Sequence, residues 1–163
     1  MKISGRHGRL RLRFNAAEAR MLRTMLDDLV DVLAGSAEDK LATAAEADVL
    51  ARLYPAAFVD DDEAATEFRD LTESALRAER SERIEACRTD LEHAREIDIS
   101  DADVARRWLQ VLNDLRLAHG TRLGITEDDD AADLDPTDAS MRPRLVYYWL
   151  TAVQDSVVQA VMR

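Results

Sequence analysis

Arg9, Arg11 and Arg13 alternate with Leu10, Leu12 and Phe14 near the start of this 163-residue chain. A strand turns successive side chains to opposite faces, so the three guanidiniums project together when the apolar set faces the core. Cations spaced at about 7 Å along a strand suit an extended anionic partner better than a point ligand. The same pattern also describes a strand whose charges discourage pairing with other molecules. The sequence leaves both readings open.

Nucleophilic and metal chemistry have little to work with. His7, His93 and His119 are far apart, and Cys87 and His93, six residues apart, point in different directions on one helix. No zinc-ligand spacing, HExxH, phosphate-binding glycine loop or GxSxG is present. Cys87 shares a helical face with Ile84 and Leu91, which predicts a small core residue. His119 lies near the stripe of Trp108 and Leu115, which predicts a partly buried, hydrogen-bonded imidazole. The run Glu127-Asp128-Asp129-Asp130, followed by Asp133, Asp135 and Asp138, offers the carboxylates that calcium takes. It lacks the order and the closing glutamate of an EF-hand, so a solvated, mobile loop is expected. No enzymatic activity, metal or cofactor is expected.

The segment Trp108-Leu-Gln-Val-Leu-Asn113-Asp114-Leu-Arg116-Leu117 and the segment from Val146 to Asp155 (VYYWLTAVQD) are separated, tryptophan-anchored helical motifs. With the basic strand, Arg52-Leu53-Tyr54-Pro55 and Leu123-Gly124-Ile125, they resemble an actinobacterial family of unknown function. Genes of that family stand beside the gene for the adaptor of the Clp protease. The resemblance implies an actinomycete oxidative stress regulator that acts with a stress sigma factor, and no enzymatic activity. In redox-responsive members the signal is attributed to a cysteine pair near the N-terminus. This chain has no cysteine before Cys87, so a disulfide switch within one copy is impossible. Asn113, Asp114 and Arg116 of the first motif are candidates to cap, to pair or to contact a partner.

These residues need elements to hold them. Ile3-Ser4 can return on residues 9–14 through Gly5-Arg6-His7-Gly8, giving a small β-hairpin. Asn15-x-x-Glu18 is a capping-box pattern, and Leu22, Met25, Leu26, Leu29 and Leu33 follow at helical spacing, predicting a helix over about 16–34. A short helix is expected over Ala45–Leu53, ended by Pro55. The carboxylates of Asp60-Asp61-Asp62-Glu63 suit a helix start. Beyond them Phe68, Leu71, Ala75 and Ala78 hold one phase and Ile84, Cys87 and Leu91 another, which predicts a break near Arg80-Ser81. Ile97-Asp98-Ile99 reads as a brief strand joining the hairpin. Ser100-x-x-Asp103 then opens a helix to Leu123 with Val104, Trp108, Val111, Leu112 and Leu115 inward. The last helix, about 144–162, is apolar on most sides around Leu145, Val146, Trp149, Leu150, Val153 and Val157. It is read as a central core helix or one shared with a second copy.

Composition sets the class. The 47% hydrophobic and 34% charged residues, with only 5 Gly and 3 Pro, fit a mainly α protein. The expected architecture is a single-domain bundle of five or six helices with a small N-terminal antiparallel hairpin or sheet. Its parts are a hairpin arm (1–14), a helical core (15–125), an acidic loop (126–142) and a C-terminal core helix (143–163). Met1-Lys2-Ile3-Ser4-Gly5 holds no apolar stretch of a signal peptide, and the single cysteine fits a reducing cytoplasm. Gln154-Asp155-Ser156 in the last helix disfavours a membrane span. The net charge of −11 is unevenly spread: residues 1–23 carry +6 and the remainder −17. A basic segment on an acidic body points to an anionic partner, either a sigma factor or other transcription protein, or DNA. Leu117, opposite the buried stripe of its helix, and the apolar last helix predict a homodimer. The expected function is non-enzymatic regulation through such a partner. The alternative is a protein-protein interaction module linked to the Clp adaptor and proteolysis, without DNA binding.

Overall fold

The computed structural model describes residues 1–6, 9–35, 43–55, 62–93 and 96–162, and all of their side chains except those of residue 6 and residues 62–73. The expected turn at residues 5–8 and the Phe68 and Leu71 side chains lie in part or wholly outside that description. Three strands and five α-helices follow one another as β1 (Lys2–Arg6), β2 (Arg9–Arg13), α1 (Ala16–Ala34), α2 (Ala44–Leu53), α3 (Asp62–His93), β3 (Ile97–Asp98), α4 (Ala102–Leu123) and α5 (Arg142–Val161). The fold is mainly α with a small antiparallel sheet, as the periodicities predict.

The sheet runs in the order β1-β2-β3, with both pairings antiparallel. Leu12 stands opposite Ile3 on one side and Ile97 on the other. Its side chain is fully buried, and Leu10 and Phe14 are partly buried against the same core. Phe14 then meets Trp108 and Trp149, with ring centroids 5.6 and 6.2 Å away. The period-two pattern is thereby converted into packing.

Helix ends follow local chemistry. Asn15 and Glu18 form the expected capping box on α1, the Asn15 side chain accepting from Ala17 and Glu18 N–H at 2.9 Å. Thr43 and Glu46 form a second box on α2, which starts at Ala44, one residue before the expected helix start. Asp101, not Ser100, caps α4 by accepting from Asp103 and Val104, while Ser100 Oγ accepts from Leu10 N–H at 2.6 Å and ties the helix start to the sheet. Gly124 closes α4 in the left-handed conformation, φ 62°, where a side chain would be strained.

Two expectations are corrected. The break near Arg80-Ser81 is absent, and α3 is continuous through that point. It holds no proline or glycine, and long arginines fill the place where its apolar phase shifts. Arg77 Nη1 donates to the carbonyls of Leu33 and Gly35 (2.7 and 2.5 Å), and Arg80 Nη1 to that of Leu53 (3.2 Å). Positive charge thus meets the carbonyl ends of α1 and α2. The central helix is α4, packed against α1, α2, α3 and α5, and not α5. In α5 only Leu150, Val153 and Val157 are fully inward, and Trp149 is half-buried. Close approach of these two helices relies on Gly120, where an added Cβ would stand 2.8 Å from the Tyr147 ring. Residues 126–141 are mostly exposed, as expected of the acidic run, and carry two short 3₁₀ turns. Asp130, Asp135 and Asp138 each accept the main-chain N–H two residues onward, so these carboxylates shape the segment. Among the described residues, no helix is long and apolar enough to cross a membrane.

Candidate functional site

Strand register decides what accompanies the three arginines. Lys2 stands opposite Arg13, Ser4 opposite Arg11 and Arg6 opposite Arg9. Cross-strand partners share a face, so the side of the sheet turned from the core presents Lys2, Ser4, Arg9, Arg11 and Arg13 together. Lys2, Arg9 and Arg13 are exposed and Arg11 is half-exposed. Among the described residues, no carboxylate pairs with Lys2, Arg9 or Arg13.

Asp98 is the one acid on this face. It lies opposite Arg11 in the register, and Arg11 Nη1 meets its Oδ2 at 3.0 Å. The Ser100 hydroxyl and N–H, and then the charges of Arg11 and Arg9, hold the Asp98 carboxyl below its usual range. β2 is the middle strand of the sheet, and β3 pairs with it at Arg11 and Leu12, so of the three arginines Arg11 is the one flanked on both sides.

The second candidate set is dispersed in role. Asp114 is 4% exposed and accepts from Arg80 Nε at 2.9 Å. Burial pushes its carboxyl above the ordinary range against the pull of Arg80. The Arg80 guanidinium also lies over the Tyr54 ring, 4.6 Å from its centroid. Of the roles open to Asp114, pairing is the one observed. Asn113 and Arg116 are half-buried, with Arg116 Nη2 donating to Asn113 Oδ1 at 3.2 Å.

Among the described residues, His93, His119 and Cys87 each have a structural contact. His119 Nε2 contacts the Pro143 carbonyl at 2.8 Å and His93 Nδ1 the Thr89 carbonyl at 3.2 Å. Cys87 is fully buried, and burial pushes its thiol up to about 12 despite nearby Arg107. Beside it, one Asp90 oxygen accepts from Arg107 (2.8 Å) and from the Trp108 indole (2.9 Å). His7 lies outside the described residues. Among the described residues, no group of three or more His, Cys, Asp and Glu is placed to hold a metal ion.

A separate apolar groove of 420 Å³ runs between α1 and α5, lined by Ala17, Met21, Leu145, Val146 and Trp149 with Glu18 and Arg142 on its rim. Sequence reasoning missed two features. Lys2 joins the basic face through register, although its alternation with Ile3 was a signal for it. The Arg80–Asp114 pair joins residues on different helices, for which a single sequence carries no signal.

The chain matches the family model described as Domain of unknown function (DUF2017) over residues 2–161, and it belongs to that family. No curated protein and no solved structure matches it.

Proposed function

We propose that this chain is a non-enzymatic regulatory protein of the cytoplasm that works by binding a transcription partner through the outer face of its sheet. One observation carries the reading: the β1–β2 register sets Lys2 and Arg13 side by side, with Arg9 on the same face and none of the three ion-paired among the described residues. Such a surface is electrostatically incomplete on its own and gains by meeting anionic groups. The resemblance to actinobacterial oxidative stress regulators suggests a stress sigma factor or DNA as that partner. Occupied histidines and an interior cysteine favour binding over catalysis. They also favour a redox signal received elsewhere than at Cys87.

The dimer expected from the sequence would use the groove between α1 and α5, where Leu145, Val146 and Trp149 remain partly exposed. Affinity capture from the native host, with and without oxidant, tests the functional reading. Recovery of a sigma factor by the wild type, and its loss with Arg9, Arg11 and Arg13 replaced by alanine, is the expected result. Recovery of Clp components that is indifferent to the arginines would instead support the interaction-module alternative. If DNA is the partner, each lost phosphate contact lowers the log–log salt slope by about 0.9, so the triple variant loses up to about three units.

A further inference from the structure

We infer that the partner segment is an acidic polypeptide in extended form, which adds to the free side of β1 as a fourth strand and lays alternate carboxylates over the basic face. This deepens the proposed function and rests on it.

Three observations converge. β1 is an edge strand, paired only with β2, and among the described residues no other hydrogen bond reaches its main chain. An open edge of this kind is a template for another strand. Side chains of an added strand alternate between faces, so its acidic residues at every second position would lie beside Lys2 and Ser4. Arg9 and Arg13 lie one strand further, about 9.6 Å from the added strand, a gap that two long side chains reaching toward each other can close. The second observation is that the sheet already makes this contact on its other side. Asp98 of β3, directly across from Arg11, pairs with it at 3.0 Å. The incoming strand would repeat beside β1 what β3 does beside β2.

The third observation disfavours single-stranded nucleic acid, which stacks its bases on aromatic rings. Among the described residues, the outer face holds only Lys, Ser, Arg and Asp, so none of them offers an aromatic platform for bases. Phe14, the nearest aromatic in sequence, packs inward on Trp108 and Trp149.

The test uses the full chain and dye-labelled synthetic peptides of alternating Glu and Thr, read by fluorescence anisotropy. A block isomer of equal composition, two versions N-methylated on alternate amides, and a DNA duplex complete the set. The alternating peptide should bind, and the block isomer should bind about tenfold more weakly. Methylation of one amide set should weaken binding about tenfold while the other set is tolerated, because only alternate N–H groups face the neighbouring strand. Amide shifts should concentrate at residues 2–6. Equal binding of the isomers, or equal tolerance of both methylations, overturns strand addition. Binding of the duplex but not the peptides, weakened by R9A/R11A/R13A, overturns this inference and leaves the proposed function standing. Failure of every probe, or peptide binding unaffected by the triple variant, overturns both.

Discussion

Arg9 and Arg13 reach into solvent from the sheet without an ion-pair partner among the described residues, whereas Arg77, Arg80 and Arg107 are tied to carbonyls and carboxylates of the chain itself. The second group joins helix ends and buried acids to the core, and its charge is consumed in holding the fold. The first group contributes no comparable contact to the fold. Residue type is the same in both regions, so environment alone separates a structural arginine from one available to a partner. If that separation is real, removing the interior set should cost stability, and removing the sheet set should cost binding.

The largest effect is expected at the interior pair. Asp114→Ala leaves Arg80 buried beside Tyr54 without its carboxylate and should destabilise the protein by about 3–5 kcal/mol in urea unfolding. A loss below about 1 kcal/mol would break the comparison, since it would make Asp114 no more structural than a surface acid. The two tryptophans sharpen the same contrast. Trp108 is 1% exposed and bonded to Asp90, so Trp108→Ala should cost about 3–5 kcal/mol. Trp149→Ala should cost distinctly less, about 1–2 kcal/mol, because its ring already borders the open groove. Trp149 emission should also lie to the red of Trp108 in single-tryptophan variants. Equal costs would mean that a second copy covers the groove in solution, which sedimentation at micromolar concentration would then show.

These contrasts mark how far the sequence is legible. Alternation at residues 9–14 exposes both faces of β2, because a period of two has one structural solution. Ile97-Asp98-Ile99 is readable as a strand for the same reason, and the Asn15/Glu18 box as a helix start. The α3 phase shift misleads, because apolar periodicity alone does not register that Arg77 and Arg80 can fill a face with long stems and end on carbonyls. The apolar breadth of α5 misleads in the opposite direction. Its flanks are half-covered, and centrality in the bundle depends on which helices pack together. Asp114 is visible as a motif residue, but its partner lies 34 residues away on another helix. Which strand is central is likewise a long-range fact.

Smaller effects test the boundary between the regions. Cys87→Ser should cost about 1–2 kcal/mol by placing a hydroxyl among apolar neighbours. The thiol, held at about 12, should react with a disulfide reagent only as fast as the protein opens. Ready formation of a Cys87–Cys87 dimer in mild peroxide would contradict this and restore a redox role. Asp98 is expected to behave as part of the exposed region. Its folded pKa is lowered, so its contribution is complete above the ordinary value of 3.8 and is lost as pH falls through the lower folded value. Arg11 is therefore held throughout neutral conditions and released only in strong acid. Carboxyl titration followed by NMR should place the Asp98 midpoint below 3.8, and a midpoint above it would contradict the Ser100 and Arg11 contacts.

The central claim is that the sheet's outer face is the surface by which this chain binds its partner. It is tested most directly by measuring affinity for the partner recovered from the native host, in wild type and in R9A/R11A/R13A, at low and at physiological salt. The account predicts a loss of about tenfold or more at physiological salt and a shallower salt dependence in the variant. It also predicts unfolding free energies that agree within about 0.5 kcal/mol. Equal affinity and equal salt dependence in two equally folded proteins would contradict it.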